Sequence, residues 1–521
     1  MIERDGDSGP PDAPQFESDA WLELGRRGSR AAFHLALRSA VLRGLTFIGT
    51  IALARLLSPS DFGVYGIVFF VVSVWSSLGD FGLGAALVQQ AEEPTPAQLR
   101  TVWTVQQCIS VVAVAVLWLA APLAGTAMPG LPPEAPWMLR VLSLGLLMSS
   151  LRTLPAVMME RRLQFGPLAA AEILQMITFY SVAVFLAVAD TGAWAFVVAG
   201  VAQLGVGALV VNLAWRRRTS IGVEPSLLGK LLGFGFHYQA AVILITLRDS
   251  PLPALVGLVS GTGAAGITQF AVRIALTIAS IDEVVARIAF PALARLQGHP
   301  AQQARALEGA ILMTGLIVIP AQCWIAAVAP VMVPLVFGAK WADAIIPLQI
   351  MCLGTLLRFP ARYLRQAEFA DGASRLGLGM TFTTTTLAVV SFAMGLVGWG
   401  IQGAAAGFLT GSVLGFGASI WLARRTLDLG WSQFWRLLGT GSVAAAAAVL
   451  VVAIVRGVVS PSWQAGGISF AALATTTVAG SLVFGVVCTG LLLVSSRPVL
   501  EMAWRLALRG LRGTPEVAQR G

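Results

Sequence analysis

Charged residues are scarce in this chain, and their scarcity excludes most soluble proteins. Only 12% of the 521 residues are Asp, Glu, Lys or Arg, whereas 56% are hydrophobic. Soluble globular domains carry about 25% charged residues. Apolar runs of about 20 residues recur along the chain, and such a run crosses a bilayer as a helix. Alternating apolar and polar residues, typical of membrane β-barrel strands, are absent. The composition therefore predicts an all-α polytopic membrane protein.

The residues that usually build metal and catalytic sites are also few. The three histidines are scattered, and the four cysteines lie inside apolar runs without the spacing of a metal site or a disulfide framework. No Ser/His/Asp arrangement and no paired carboxylates stand out. The sequence therefore predicts a protein that is not an enzyme, with no catalytic residues, no metal and no bound cofactor.

The apolar runs predict about 14 transmembrane helices separated by short connections. The predicted spans are 33–57, 62–88, 99–127, 136–158, 167–189, 193–215, 232–258, 265–289, 307–335, 342–365, 375–396, 400–423, 437–459 and 466–494. The odd-numbered connections are short, as at Ser58–Asp61, Ala189–Gly192, Ser260–Ala264 and Gly338–Trp341. No room is left there for a folded external domain, which a membrane polysaccharide polymerase or ligase would need to hold its acceptor.

The distribution of arginine predicts the orientation of the chain. Arginines concentrate in every second connection and in the C-terminal tail, and cytoplasmic loops carry an excess of Lys and Arg. We therefore expect both termini to be cytoplasmic. The net charge of +9 follows from these flanking residues, so nucleic acid is not an expected partner.

Ionisable residues inside the predicted spans are the candidate functional residues, because each costs about 2.5–3.5 kcal/mol in hydrocarbon and so tends to face a cavity. Ser39, Arg43, Thr46 and Thr50 form one polar stripe on the first helix, and Asp80 lies at a similar depth on the second. Arg38 lies off this stripe, and snorkelling to the headgroups explains it equally well.

Further arginines lie at membrane depth on later helices of the chain. Arg248 and Asp249 precede Pro251 and Pro253, which should bend the seventh helix. The remaining candidates lie on the eighth, fourth and tenth helices: Arg273, Arg152 and Arg358. Each could instead form a structural salt bridge. Asp282 is expected near the inner end of the eighth helix, as a gate residue or a partner of Arg287.

Five segments of the chain, taken together in their order and spacing, resemble the corresponding segments of one known family. They are ARLLSPSDFGVYG, LGDFGLGAALVQQ, FPALARLQGHP, VPLVFGAKWADAIIPLQIMCLG and LVGWGIQGAAAGFLTG. Together they are similar to the Wzx-type polysaccharide-export flippases, the polysaccharide-transporter branch of the MOP superfamily. The resemblance runs from about residue 30 to residue 495. It implies two pseudo-symmetric six-helix lobes plus two C-terminal helices, and movement of an undecaprenyl-diphosphate-linked oligosaccharide from the cytoplasmic to the periplasmic leaflet.

The resemblance and the spans together predict five segments. They are a disordered or interfacial tail (1–30), two six-helix lobes (31–218 and 219–425), two additional helices (426–495) and a basic tail (496–521).

The predicted activity is flipping of a lipid-linked oligosaccharide by alternating access in the cell inner membrane. Arginine suits a diphosphate because it is always charged and binds phosphate bidentately. A cation-coupled multidrug exporter of the same superfamily is the alternative. Coupling to H⁺ or Na⁺ through Asp80, Asp249 or Asp282 is left open, as is contact with polysaccharide polymerase or export machinery.

Overall fold

The computed structural model describes residues 42–78, 93–127, 130–162, 164–215, 220–224, 252–279, 282, 293, 300–370 and 374–423. The chain divides into two compact units, Met1–Gly44 with Leu493–Gly521, and Leu45–Leu492. Nearly all described residues belong to the second unit. The predicted spans at 437–459 and 466–494 and both tails lie outside the described residues.

The first half of the described chain is a series of long helices. They are α1 (42–56), α2 (Pro59–Leu78), α3 (Pro96–Ala127), α4 (Ala135–Arg161), α5 (Phe165–Val188) and α6 (Trp194–Trp215). Within the described residues, helices lie where the sequence predicts the first six spans; residues 33–41 and 79–88 of the first two predicted spans lie outside this part of the chain. Ser58 and Asp61 cap the start of α2. The Asp61 carboxylate accepts hydrogen bonds from the Ser58 backbone N–H at 2.9 Å and from the Ser58 hydroxyl at 2.6 Å. This capping arrangement, with Pro59 at the first helical position, begins α2.

The second half of the described chain contains four long helices. They are α7 (Leu252–Ala279), α8 (Pro300–Met332), α9 (Ile345–Ala370) and α10 (Ser374–Ala423). A π-helical turn, Val333–Phe337, and a 3₁₀ turn, Ala339–Ala344, connect α8 to α9. Gly261, with φ of 84°, interrupts α7 where the Ser260–Ala264 connection is predicted. Pro251 and Pro253 predict a bend in this helix. The structure describes only the residues from Leu252 onward, so the bend stays a prediction.

Helix α10 is two predicted spans that fold back on each other. Trp399 and Gly400 have non-helical backbone angles, and Gly400 has φ of 60°. A Cβ at Gly403 or Gly407 would overlap a carbonyl oxygen of the first half, Gly395 or Ser391. The three- and four-residue spacing of Gly400, Gly403, Gly407, Gly411 and Gly415, the glycine stripe, predicts a helix-packing surface, and the close contacts at Gly403 and Gly407 agree with it.

Eight segments of the described chain are long and apolar enough to cross a membrane, and the longest of them, Leu376–Ala423, contains both arms of α10. The protein is thus a multi-pass helical membrane protein. The total of 14 helices and the division into lobes stay predictions.

Candidate functional site

A buried tyrosine joins three helices in the middle of the described bundle. The Tyr180 hydroxyl on α5 accepts a hydrogen bond from Arg273 Nη2 on α7 at 3.2 Å. It lies 3.5 Å from Thr50 Oγ1 on α1. Tyr180 is 6% exposed, and Arg273 is partly buried. We call Thr50, Tyr180 and Arg273 the central network. It places a permanent positive charge inside the apolar candidate membrane span Leu252–Thr277, about 18 Å along α7 from the break at Gly261.

The sequence of α1 explains why this network forms. A Cβ at Gly49 would overlap the Tyr180 ring, so the ring packs directly on the backbone of α1. One turn earlier, Thr46 Oγ1 lies 3.7 Å from Met176 Sδ. Because Thr46 and Thr50, like Met176 and Tyr180, are four residues apart, the polar stripe predicted on α1 faces α5 over these two turns.

One end of the bundle is closed by contacts between helices that are distant in the chain. Glycines permit the closest approach: a Cβ at Gly63 on α2 would overlap the Thr262 carbonyl oxygen, and a Cβ at Gly266 on α7 would overlap that of Pro59. Ser60 Oγ and Thr262 Oγ1 are 2.8 Å apart. We call this surface the α2–α7 contact.

The 3₁₀ turn completes the closed end. Trp341 is fully buried, stacks on Phe270 at 4.3 Å and donates its indole N–H to the Ala54 carbonyl at 2.9 Å. Arg55 donates to the carbonyl oxygens of Val336, at 2.8 Å, and Leu335. The α1–α2, α7 and α8–α9 turns were all predicted on the outer side, and the structure brings all three together.

A basic pocket lies between α9 and α10, away from the closed end. It is small, with a cavity volume of about 50 Å³. Arg358, Arg362 and Arg365 line one wall, and small or hydroxyl-bearing residues of α10, including Gly411, Ser412, Gly415 and Thr384, line the other. We call it the arginine pocket.

An uncharged polar pocket of about 50 Å³ lies between α2, α3 and α4. Its lining combines Trp75 with hydroxyl and amide side chains, among them Gln106, Ser110, Ser149 and Thr153. Ser150 Oγ in this lining also donates to Gln107 Oε1 at 2.9 Å. Hydroxyl, amide and aromatic groups suit a ligand rich in hydroxyls. We call it the hydroxyl pocket.

The structure describes five of the residues that the sequence selects. Arg273 belongs to the central network, and Arg358 belongs to the arginine pocket, where its guanidinium lies 5.4 Å from the Phe408 ring centroid. Arg43 is partly buried on α1, one turn before Thr46, and Arg152 is partly buried on α4. Asp282 is buried and pairs with Arg362 at 3.2 Å. The other selected residues, Arg38, Asp80, Arg248 and Asp249, lie outside the described residues, as does Arg287.

Sequence reasoning missed three residues of these sites. Tyr180 was overlooked because a lone tyrosine in an apolar run carries no charge pattern. Arg362 and Arg365 were counted only as cytoplasmic flanking residues. Their spacing from Arg358, four and seven residues, places all three on one helix face and would have revealed the pocket wall.

Comparison with known proteins supports a common family. A family model described as "Polysaccharide biosynthesis protein" matches residues 52–346. The chain is 23% identical to the lipopolysaccharide biosynthesis protein WzxC of Escherichia coli (strain K12) over 377 residues, which are 72% of this chain and 76% of that protein. It is 26% identical to the succinoglycan biosynthesis transport protein ExoT of Rhizobium meliloti (strain 1021), over 58% of this chain and 60% of that protein.

Solved structures share the fold. The lipid II flippase MurJ in an inward closed conformation superposes with a TM-score of 0.72, at 12% identity, over 90% of this chain and 100% of that one. An inward-facing multidrug resistance MATE family transporter of the MOP superfamily superposes with a TM-score of 0.59, at 15% identity, over 74% and 94% of the two chains.

Proposed function

The chain belongs to the polysaccharide biosynthesis protein family, and from this premise we propose that it moves a lipid-linked oligosaccharide across the inner membrane for surface polysaccharide synthesis. Two of its relatives, WzxC and ExoT, are named for lipopolysaccharide biosynthesis and for succinoglycan transport. The protein is a transporter and not an enzyme. Both termini are proposed to be cytoplasmic, and the substrate is proposed to carry an undecaprenyl diphosphate.

The observation that carries the proposal is the charge of Arg273 in the central network. A lipid diphosphate brings negative charge into a medium where isolated charges are costly, so its carrier needs a fixed cation at membrane depth. The guanidinium offers five N–H donors in a planar fork. One donor binds Tyr180 at 3.2 Å, and this bond orients the group. Other N–H groups of the same guanidinium can donate to phosphate oxygens.

The two ends of the proposed substrate differ in chemistry, and the described sites differ in the same way. A diphosphate is anionic, whereas sugars expose neutral hydroxyls. The hydroxyl pocket suits the neutral sugars. Trp75 offers an apolar ring face, and the neighbouring Ser, Thr and Gln side chains offer hydrogen-bond donors and acceptors. We propose that this pocket contacts the sugars.

Alternating access is the proposed mechanism. The α2–α7 contact and Trp341 close one end of the bundle, which the arginine distribution predicts to be the outer end. Substrate would enter from the opposite side, and the contact would then part to release it outside. H⁺ or Na⁺ coupling stays part of the proposal, as does assembly with polymerase or export machinery. Of the proposed coupling acids, Asp282 is paired with Arg362.

A multidrug exporter is the second candidate, since a MATE transporter shares the fold. Cation coupling in such an exporter requires an acidic residue in the cavity. The central network instead contains an arginine. Deletion of the gene should therefore leave drug susceptibility unchanged.

Complementation of a deletion strain tests the proposal. We expect Arg273→Gln to reduce polysaccharide export about 10- to 100-fold, because one charged hydrogen bond contributes about 1.5–3 kcal/mol. The lipid-linked glycan should accumulate on the inner leaflet. Arg273→Lys should retain part of the activity. Arg140→Gln is the matched control, since Arg140 lies over the Trp137 ring, far along the chain from the central network. Full export by a stably inserted Arg273→Gln protein would overturn the assignment.

A further inference from the structure

Four residues of α7 lie on the helix face that packs against α2. Thr262, Gly266, Gln269 and Arg273 follow one another at spacings of four, three and four residues, which places them within about 60° of one another around the helix axis. The first two belong to the α2–α7 contact, and the last belongs to the central network. Gln269 lies between these two sites, about 6 Å along α7 from Arg273.

The Gln269 side chain lies directly against the backbone of α2. Gly66 on α2 is buried, and a Cβ there would overlap the Gln269 amide group. Gly66 has no side chain that could donate a hydrogen bond, and its backbone N–H belongs to the hydrogen-bond ladder of α2. The Gln269 Oε1 atom is buried, and none of the residues that the structure describes donates a hydrogen bond to it. The closed contact therefore contains a polar atom without a donor.

This oxygen is unfavourable only while the two helices are in contact. A buried acceptor without a donor has lost the hydrogen bonds that it makes to water, and an acceptor that faces water keeps them. The close glycine approach and the hydroxyl pair of the α2–α7 contact favour its closed form, whereas Gln269 opposes it. A surface that has to part in every transport cycle requires such a balance.

We propose that Gln269 is a positioning residue of the transport cycle, which destabilises the closed α2–α7 contact and thereby sets how often it opens. When α2 and α7 part, the amide oxygen reaches a hydroxyl donor, either water or a sugar hydroxyl of the substrate. The inference rests on the proposed function, because it requires alternating access at this contact. It gives Gln269 no part in holding the diphosphate, which is the role of Arg273.

Distances between spin labels on the purified full-length protein in nanodiscs test this proposal. The labels are attached to Ala189→Cys and Ala342→Cys in a background without the native cysteines, and both positions are exposed. Ala189 lies in the α5–α6 turn, which reaches Asp61 at the start of α2. Ala342 follows Trp341, which stacks on Phe270 of α7. The labels should therefore move apart when α2 and α7 part, and the fraction of molecules with the longer distance is the open fraction.

Gln269→Met is the principal variant, because methionine keeps the length of the side chain and removes its polar atoms. We expect the ratio of open to closed molecules to fall at least about fivefold relative to the labelled parent, since the cost of the unpaired acceptor disappears from the closed state alone. Thr268→Val is the matched control. Thr268 Oγ1 is also buried without a partner among the described residues, but Thr268 lies about 100° around α7 from Gln269, off the α2 face. The control should keep the ratio within about twofold of the parent.

Gly66→Ala should act in the opposite direction. The added methyl group would overlap the Gln269 amide, so we expect a larger open fraction than in the parent. An unchanged or smaller open fraction would overturn the placement of the amide on α2. Melting temperatures show that every variant is folded.

The two hydroxyl donors are distinguished by adding a polyprenyl-diphosphate oligosaccharide. A lower open fraction of Gln269→Met in the substrate-free protein identifies water as the donor. A difference from the parent that requires the oligosaccharide identifies a sugar hydroxyl.

An open fraction of Gln269→Met that equals or exceeds that of the parent, with and without the oligosaccharide, would overturn the proposal. If the parent and Gly66→Ala proteins open and Gln269→Met opens as often as the parent, alternating access stands and only the role of Gln269 is lost. If no variant shows the longer distance, the α2–α7 contact is static, and the proposed alternating access fails together with the role of Gln269.

Discussion

At the scale of single residues, the Tyr180 hydroxyl is the point where α1, α5 and α7 meet. It accepts from Arg273 and lies beside Thr50. Tyr65, buried and stacked on Phe196 at 4.8 Å, is close enough to interact with the Arg273 charge. The positive group thus has a buried phenol oxygen as its hydrogen-bond acceptor.

Tyr180→Phe tests whether this hydroxyl positions Arg273. The ring and its packing on Gly49 are retained, and only the oxygen is lost. We expect export to fall about fivefold, because one hydrogen bond contributes about 1 kcal/mol. The double variant Tyr180→Phe/Arg273→Gln should export no less than Arg273→Gln alone, because coupled residues are not additive. Additive losses in export would show that the two residues act separately.

Gly49→Ala tests the close approach of α1 to α5. The added methyl group would overlap the Tyr180 ring, so the helices must separate. Overpacking of this kind costs about 1–3 kcal/mol, and we expect a lower melting temperature and weaker export. Gly44→Ala on the same helix is the control, since a Cβ there meets nothing within 4 Å. Equal thermal stability of the two variants would contradict the packing.

At the scale of helices, the α2–α7 contact is closed by glycines and two hydroxyl groups. Transport by alternating access requires this surface to part in each cycle. Ser60→Cys/Thr262→Cys tests the requirement, because the native oxygens are 2.8 Å apart. In a background without the native cysteines, oxidation should cross-link the pair and stop export, and a reductant should restore it. Undiminished export by the fully cross-linked protein would show that the contact is static.

The positions of the described helices can be predicted from local features of the sequence. Apolar length predicts the described helices. Their starts were predicted less well: Ser58–Asp61 was predicted as a connection, whereas α2 begins at Pro59, and hydrogen bonds between Thr95 and Gln98 cap α3 ahead of its predicted start at residue 99. The glycine stripe of α10 is likewise predicted by its spacing. Which helices pack against each other, in contrast, cannot be predicted from these local patterns. Nothing in the α2 sequence says that Gly63 faces Thr262, because that contact joins residues 199 positions apart and depends on tertiary packing.

The candidate sites are predicted only in part, for the same reason. A charged residue within an apolar run can be recognised in the sequence alone, so Arg273 and Arg358 were predicted as candidate site residues. Tyr180 is not, because its role depends on which two helices it meets. The pairing of Asp282 with Arg362 joins residues 80 positions apart, so the sequence did not reveal it. The roles predicted for Asp282, a gate residue or a partner of Arg287, stay predictions, since Arg287 lies outside the described residues.

At the scale of the whole molecule, topology is the prediction that the structure leaves open to experiment. Positive-inside reasoning places the α5–α6 turn outside and the α4–α5 turn inside. Ala189 and Gln164 are exposed residues of these two turns. In intact spheroplasts, a membrane-impermeant maleimide should label Ala189→Cys and not Gln164→Cys, and permeabilised cells should show both labelled. The reverse pattern would invert the orientation and place the closed end in the cytoplasm.

The central claim is that a fixed cation at membrane depth carries a lipid-linked anion from one leaflet to the other. Its most direct test is a flipping assay in proteoliposomes that contain the purified protein and a fluorescent polyprenyl-diphosphate oligosaccharide. Quenching from outside reports the fraction of substrate in the outer leaflet over time. The wild type should equilibrate the two leaflets, and Arg273→Gln should do so about 10- to 100-fold more slowly. Equal rates for the two proteins, or no flipping by the wild type, would contradict the account.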